Sequence, residues 1–215
     1  MNNLIIFDLD GTLADTRADL ATAVNMTRKH YGLAILSKDE IVTYVGNGLT
    51  LLMQRSFHDS PEQDIAEASE VFKKYYSENL IDETTLYPGV IDGLKALAGS
   101  GHILAVLSNK PGDLCRQLSA HFKLDTYLLT VMGGGDAAEL KPHPAGLNNI
   151  IKKAEAEGFS RNGSNIWMVG DHYTDLEFAK NADINSIFCS YGFGDRRGLT
   201  SDHEVTSFAE LASIL

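Results

Sequence analysis

The sequence predicts an α/β protein, a core built on a parallel sheet and interrupted by an all-helical insertion. Three observations carry that expectation. Short apolar runs alternate with helical patterns through most of the chain, acidic motifs follow directly on such runs, and one long stretch near the N-terminus shows helical periodicity alone.

The first strand is expected at residues 4–7, and further strands at 103–107, 127–130, 166–169 and 184–189. Prolines mark the helices between them. Pro88-Gly89 precedes a helix over 90–97, Pro111 stands near the start of one over 114–122, and Pro144 introduces a face of Leu147, Ile150, Ile151 and Ala154. Between 14 and 85 the apolar residues fall on helical faces: Leu20, Val24, Thr27 and Tyr31, then Leu49, Leu52, Met53 and Phe57, then Ile65, Ala68, Phe72 and Tyr76. The expected division is therefore a core of residues 1–13 plus 86–215 and an all-helical insertion of 14–85, with no internal repeat or low-complexity run.

Composition narrows the function classes. With 18 basic and 29 acidic residues the formal charge of the 215-residue chain is −11, which argues against a surface built for nucleic acid or anionic membrane. An anionic ligand must then be met locally, by a bound cation, a lysine or oriented backbone N–H groups. Cys115 and Cys189 form no CxxC pattern, so neither a disulfide framework nor a zinc site is expected. Without a basic leader or a long apolar run, the expected location is the cytoplasm.

Four motifs carry the chemistry. Asp8-Leu9-Asp10-Gly11-Thr12 follows the first strand, and two carboxylates crowded there call for a divalent cation or a shared proton; Mg²⁺ suits such oxygen ligands. The plain alternative is an acidic turn with Gly11 at the bend and Thr12 as a cap. Ser108-Asn109-Lys110 closes a second strand, where a hydroxyl and helix N-terminal N–H groups can hold a phosphoryl oxygen, although Ser and Asn also serve as ordinary caps. Lys141-Pro142-His143-Pro144 is a stiffened loop whose lysine can neutralise a carboxylate or phosphate oxygen; His143 is read as a surface residue. In Gly170-Asp171-His172-Tyr173-Thr174-Asp175, Asp171 is placed to give a third oxygen ligand. Asp175 falls in a first helical turn and supports the ligands from behind, with Thr174 and Glu177 reading as a capping box. All four lie at the C-terminal ends of expected parallel strands, the edge where open α/β sheets bind ligands.

On these four motifs the chain resembles the haloacid dehalogenase superfamily, and the likeness spans essentially its whole length. Asp10 separates it from the dehalogenase branch. Residues 15–25, Tyr44-Val45-Gly46-Asn47-Gly48, Tyr87-Pro88-Gly89-Val90 and Leu107-Ser108-Asn109-Lys110 look closest to phosphoglycolate phosphatases. The resemblance implies a Rossmann-like parallel-sheet core with an inserted α-helical cap, residues 14–85, and a Mg²⁺-dependent phosphatase acting on a small phosphorylated metabolite. Asp8 would be the nucleophile forming an aspartyl-phosphate, Asp10 the acid and base, and Ser108 and Lys141 the charge-stabilising groups. The ion would be held by Asp8, Asp171 and the backbone carbonyl of Asp10. Thr12, Ser108 and Asn109 would contact substrate, with Gly46 and Gly48 in a closing cap loop. Two further readings stay open among enzymes, a phosphomutase resembling β-phosphoglucomutase and a pyrophosphatase or nucleotide phosphatase. A noncatalytic binding module is the reading from another class. In resembling mutases an early cap helix carries a histidine, whereas residues 17–25 have none and His30 comes late.

Overall fold

The computed structural model describes residues 2–161 and 165–215. A six-stranded parallel sheet forms its centre, in the order β5-β4-β1-β6-β7-β8. The strands are β1 (Leu4–Phe7), β4 (Ile103–Pro111), β5 (Thr130–Gly134), β6 (Ile166–Gly170), β7 (Asn185–Cys189) and β8 (His203–Val205). Two short strands, β2 (Ala14–Asp15) and β3 (Thr85–Leu86), pair antiparallel outside that sheet, Ala14 opposite Leu86 and Asp15 opposite Thr85.

All four residues of β1 are buried, and alternation assigns them to two cores. Ile5 and Phe7 face one apolar cluster with Val106, Val169 and Ile187, and Leu4 and Ile6 face the other with Ala105, Leu107 and Met168. The first cluster is covered by α5 (Val90–Gly99), α6 (Gly112–His121) and the C-terminal α9 (Leu211–Ile214), the second by α7 (Ala145–Ala156) and α8 (Tyr173–Ala182). A sheet with helices on both faces buries its strands on both sides, which is why the strands read as unbroken apolar runs.

Four helices occupy the stretch between β2 and β3: α1 (Arg17–His30), α2 (Lys38–Val42), α3 (Leu49–Ser56) and α4 (Ile65–Glu78). The expected apolar faces turn inward, with Leu20, Val24, Leu52, Met53, Phe72 and Tyr76 all buried. Asp64 caps α4 by accepting from the N–H groups of Ala66 and Glu67. Two charges organise the segment's interior. The Arg28 guanidinium is fully buried and pairs with Asp59 at 2.7 Å, and it also donates to the carbonyls of Ala34 and Ser56. At the segment's root, buried Asp19 accepts from the N–H groups of Glu83 and Thr84 and from the Thr84 hydroxyl, fastening α1 to the returning chain just before β3.

Two expectations about the sheet need correction. The strand expected at 127–130 lies later in the chain: residues 124–126 form a 3₁₀ turn and β5 starts at Thr130, running on to Gly134. Its apolar signal is carried by Val131 and Met132 and then fades into two glycines, so the pattern drew attention one element too early. The edge strand β8 was not expected at all, because His203 and Glu204 are exposed and leave Val205 as its only buried residue.

Candidate active site

β1 ends at Phe7, so Asp8 is the first residue beyond the strand, and its N–H still donates to the Val169 carbonyl at 2.9 Å. Because β1 lies between β4 and β6, the sheet order sets Asp8 between Ser108 on one side and Asp171 on the other. Chain direction reverses its spread across the sheet at β1, the kind of switch point that opens a crevice at the C-terminal edge. Ser108 and Asn109 belong to β4 itself rather than to a helix entrance, since α6 begins only after Pro111.

The centre of the site is a group of buried charges. Lys141, only 4% exposed, places Nζ 3.1 Å from Asp8 Oδ1 and 2.7 Å from Asp175 Oδ1. Burial opposes its charge, but Asp175 and Asp8 outweigh that and hold its proton more firmly than usual. Burial raises the pKa of Asp8, and Lys141, the Ser108 hydroxyl and the Leu9 N–H oppose the rise without cancelling it. Asp171 is raised well above the ordinary carboxylate range, first by burial and then by the charges of Asp8 and Asp175. Oxygens of Asp8, Asp171 and Asp175 all lie within 4.8 Å of one another. Three buried carboxylates facing one lysine leave negative charge uncompensated, and an all-oxygen donor set of this kind fits a hard divalent cation.

The hydrogen bonds separate the roles of the acids. Asp175 spends Oδ1 on Lys141 and Oδ2 on the His172 N–H. Asp171 is aimed by the Thr12 hydroxyl at 3.2 Å and by the N–H groups of Phe193 and Gly194 at 3.0 and 2.7 Å. The capping box of α8 is formed by His172 and Asp175, two residues ahead of the expected Thr174 and Glu177 pair. The chain turns into the helix immediately after Asp171, so the imidazole takes the capping position; its Nδ1 lies 2.9 Å from the Thr174 hydroxyl. Burial drives the His172 pKa down to about 4, leaving it neutral near pH 7.

Asp10 faces a partner that sequence reasoning passed over. Lys110 Nζ donates to its carboxylate at 2.9 and 3.3 Å and to the Tyr76 hydroxyl on α4 at 2.5 Å, and it lies 4.3 Å from that ring's centroid. The available signal was position, because a lysine closing a buried strand must find a carboxylate.

The loop of Gly46, Asn47 and Gly48 reaches the sheet edge. The Asn109 amide donates to the Gly46 carbonyl at 2.9 Å and to the Lys141 carbonyl at 2.8 Å, and its oxygen accepts from the Lys141 N–H at 2.8 Å. Asn47 donates to the Tyr173 hydroxyl at 2.5 Å. A side chain at Gly46 (φ +107°) would meet the His172 ring at 2.6 Å, and one at Gly48 (φ +88°) would meet Leu140 at 2.6 Å. These contacts enclose a cavity of about 210 Å³ lined by Asp8, Asp10, Ser108, Asn109 and Asp171 on the sheet side. The structure thus brings together Asp8, Asp10, Ser108, Asn109, Lys141, Asp171, Asp175, Gly46 and Gly48. Thr12 lies behind Asp171 rather than in the cavity lining, and His143 accepts from the Ala145 N–H on an exposed loop.

A Rossmann-like sheet whose C-terminal edge gathers an Asp-x-Asp turn, a serine, a lysine and two further acids defines a class of α/β hydrolases. The sequence matches the haloacid dehalogenase-like hydrolase family over residues 5–189, and the chain belongs to that family. It is 34% identical to a phosphoglycolate phosphatase of Colwellia psychrerythraea, over 88% of this chain and 85% of that one. Identity to a phosphoglycolate phosphatase of Mannheimia succiniciproducens is 32%, over 99% and 96%. Among solved structures, a predicted phosphoglycolate phosphatase of Haemophilus somnus aligns with a TM-score of 0.88 at 31% identity, covering 99% of this chain and 97% of that one. Among the described residues, no helix is long and apolar enough to cross a membrane.

Proposed function

We propose that the protein is a Mg²⁺-dependent phosphatase that hydrolyses a small, phosphoglycolate-like phosphomonoester through an aspartyl-phosphate on Asp8. The observation that carries this reading is the buried Asp8–Lys141–Asp175 group beside Asp171 at the sheet's C-terminal edge. The phosphatases among its relatives support the same reading.

In this mechanism the Asp8 carboxylate attacks phosphorus in line, and the bond to the leaving alkoxide breaks. Asp10 gives that alkoxide a proton and later takes one from the water that hydrolyses the acyl phosphate. Lys141 and the Ser108 hydroxyl meet the phosphoryl oxygens, and Lys141 keeps the nucleophile from being repelled by Asp175. Asp8, Asp171 and the Asp10 carbonyl would hold Mg²⁺, with Asp175 fixing Lys141 behind them. The ion supplies positive charge to the phosphoryl group in a chain whose net charge is −11. Residues 14–85 act as the cap, and the Gly46–Gly48 loop closes over the cavity to exclude water. Thr12 contributes by aiming Asp171.

The test is phosphate release from a panel of phosphomonoesters by purified protein, with Mg²⁺ and with chelator. The reading expects release from a short phosphoester, its loss with chelator and its return on adding Mg²⁺. Full turnover without metal, or none with it, contradicts the proposal.

A further inference from the structure

Resting on the phosphatase reading above, we infer that Arg197 forms a second anion-binding subsite in the cavity and selects phosphomonoesters whose leaving group ends in a carboxylate. The inference begins with charge. Helices α1 to α4 and their loops present apolar side chains to the cavity, including Leu20, Val42, Val45, Leu49, Leu52 and Phe72, and no charged group. Among the described lining residues the Lys and Arg side chains are Lys110 and Arg197, and Lys110 is committed to Asp10 and Tyr76. Lys141 is likewise committed to Asp8 and Asp175. A substrate carboxylate entering beside Asp8, Asp10 and Asp171 would meet net repulsion unless Arg197 received it.

Arg197 is built for that task. Its guanidinium lies 3.8 Å from the centroid of the Tyr173 ring, and among the described residues no carboxylate pairs with it. The nearest acid along the chain, Asp195, uses Oδ1 to accept the Arg197 main-chain N–H at 2.8 Å, which fixes a turn in which Arg197 takes φ +49°. The loop is anchored to the reaction centre, because the N–H groups of Phe193 and Gly194 hold Asp171 and the Asp195 carbonyl accepts from Tyr173 N–H at 2.8 Å. Tyr173 in turn accepts a hydrogen bond from Asn47, so the loop that covers the cavity also steadies the ring beneath the guanidinium. A stacked guanidinium has already lost rotamer freedom and keeps its planar fork of donors for a carboxylate. The substrate would then lie with its phosphate at Asp8 and Lys141, its carbon chain against the apolar cap side chains and its carboxylate on Arg197. A cavity of about 210 Å³ accommodates a short ester of that kind.

The experiment compares 2-phosphoglycolate with ethyl phosphate, which has the same primary phosphoester and no carboxylate. Wild-type protein, Arg197→Met and Arg197→Lys are assayed with Mg²⁺, and the readout is the ratio of kcat/KM for the two esters. The expected result is a wild-type ratio favouring phosphoglycolate and a fall of about 10- to 100-fold in Arg197→Met, the range for losing a charge-assisted hydrogen-bonded pair. That fall should come through KM, with partial recovery in Arg197→Lys. An unaltered ratio in Arg197→Met, whether both activities drop together or neither does, overturns the inference. A wild-type preference for ethyl phosphate overturns it as well and leaves the phosphatase reading standing. Failure of the wild-type protein to release phosphate from either ester overturns both.

Discussion

Replacing Lys141 by Met keeps most of the side chain's length and removes one buried positive charge. In the folded protein that charge lies 3.1 Å from Asp8 and 2.7 Å from Asp175, with Asp171 in the same group. Removing one partner of a buried pair costs about 3–5 kcal/mol because the other is left uncompensated. Against a typical domain stability of about 5–15 kcal/mol, such a loss would lower the urea midpoint markedly. Two signatures distinguish lost charge from a packing defect. Mg²⁺ should raise the melting temperature more in Lys141→Met than in wild type, because the ion then becomes the main counter-charge to the three acids. Adding Asp175→Asn should restore part of the lost stability while activity stays at least about 100-fold down, since the stabilisation of the phosphoryl oxygens is not restored. Unfolding curves with and without Mg²⁺ on the two single variants and the double variant measure both. Strict additivity of Lys141→Met and Asp175→Asn, with wild-type Mg²⁺ response, would refute the electrostatic account.

Other consequences follow from contacts farther out. Gly46→Ala forces a methyl group to within 2.6 Å of the His172 ring, whereas Gly32→Ala, also at positive φ, meets nothing within 4 Å. Both should lose about 1–2 kcal/mol of stability to backbone strain, but only Gly46→Ala should lose kcat/KM, by about 10-fold; equal kinetics in the two would deny the loop a role in the cavity. Hydrogen bonding from Arg28 holds the Asp59 carboxyl down to about 2 from its ordinary 3.8. A depressed carboxylate stabilises the fold above its unfolded pKa, and that contribution is lost as pH falls through about 2. Asp59→Asn should therefore unfold more easily than wild type at neutral pH and converge with it near pH 2, as chemical denaturation across pH would record. Lys110→Met should release Asp10 and leave the Tyr76 hydroxyl without its donor, slowing turnover about 10- to 100-fold. An unchanged rate would show that Asp10 needs no such partner.

The parts of the structure legible in the sequence were those in which one signal dominated. Four consecutive buried residues in β1 leave little choice of conformation, and the acids that follow mark its end. The inward faces of α1, α3 and α4 likewise repeat every three or four residues. β5 was misplaced because two of its five residues are glycine and the start of its pairing depends on β4, a partner distant in sequence. β8 is an edge strand with a single buried side chain, so burial gave it no pattern. Within the site, acids at strand ends pointed to Asp8 and Asp171 and a proline-stiffened loop pointed to Lys141, but pairings across the crevice had no sequence signature. The Lys110–Asp10–Tyr76 contacts join three segments far apart in the chain, and the commitment of Asn109 to Gly46 and Lys141 appears only when β4 and two loops come together.

The central claim is a covalent bond between Asp8 and phosphorus. The most direct measurement is rapid acid quenching of the enzyme during turnover of a phosphomonoester with Mg²⁺, followed by peptide mass spectrometry of the segment containing Asp8 and Asp10. The account predicts an added phosphoryl group on that peptide, assigned to Asp8 by fragmentation, removed by hydroxylamine and absent from Asp8→Asn. Continued phosphate release by Asp8→Asn, or label found on another residue in the active wild-type enzyme, would contradict it.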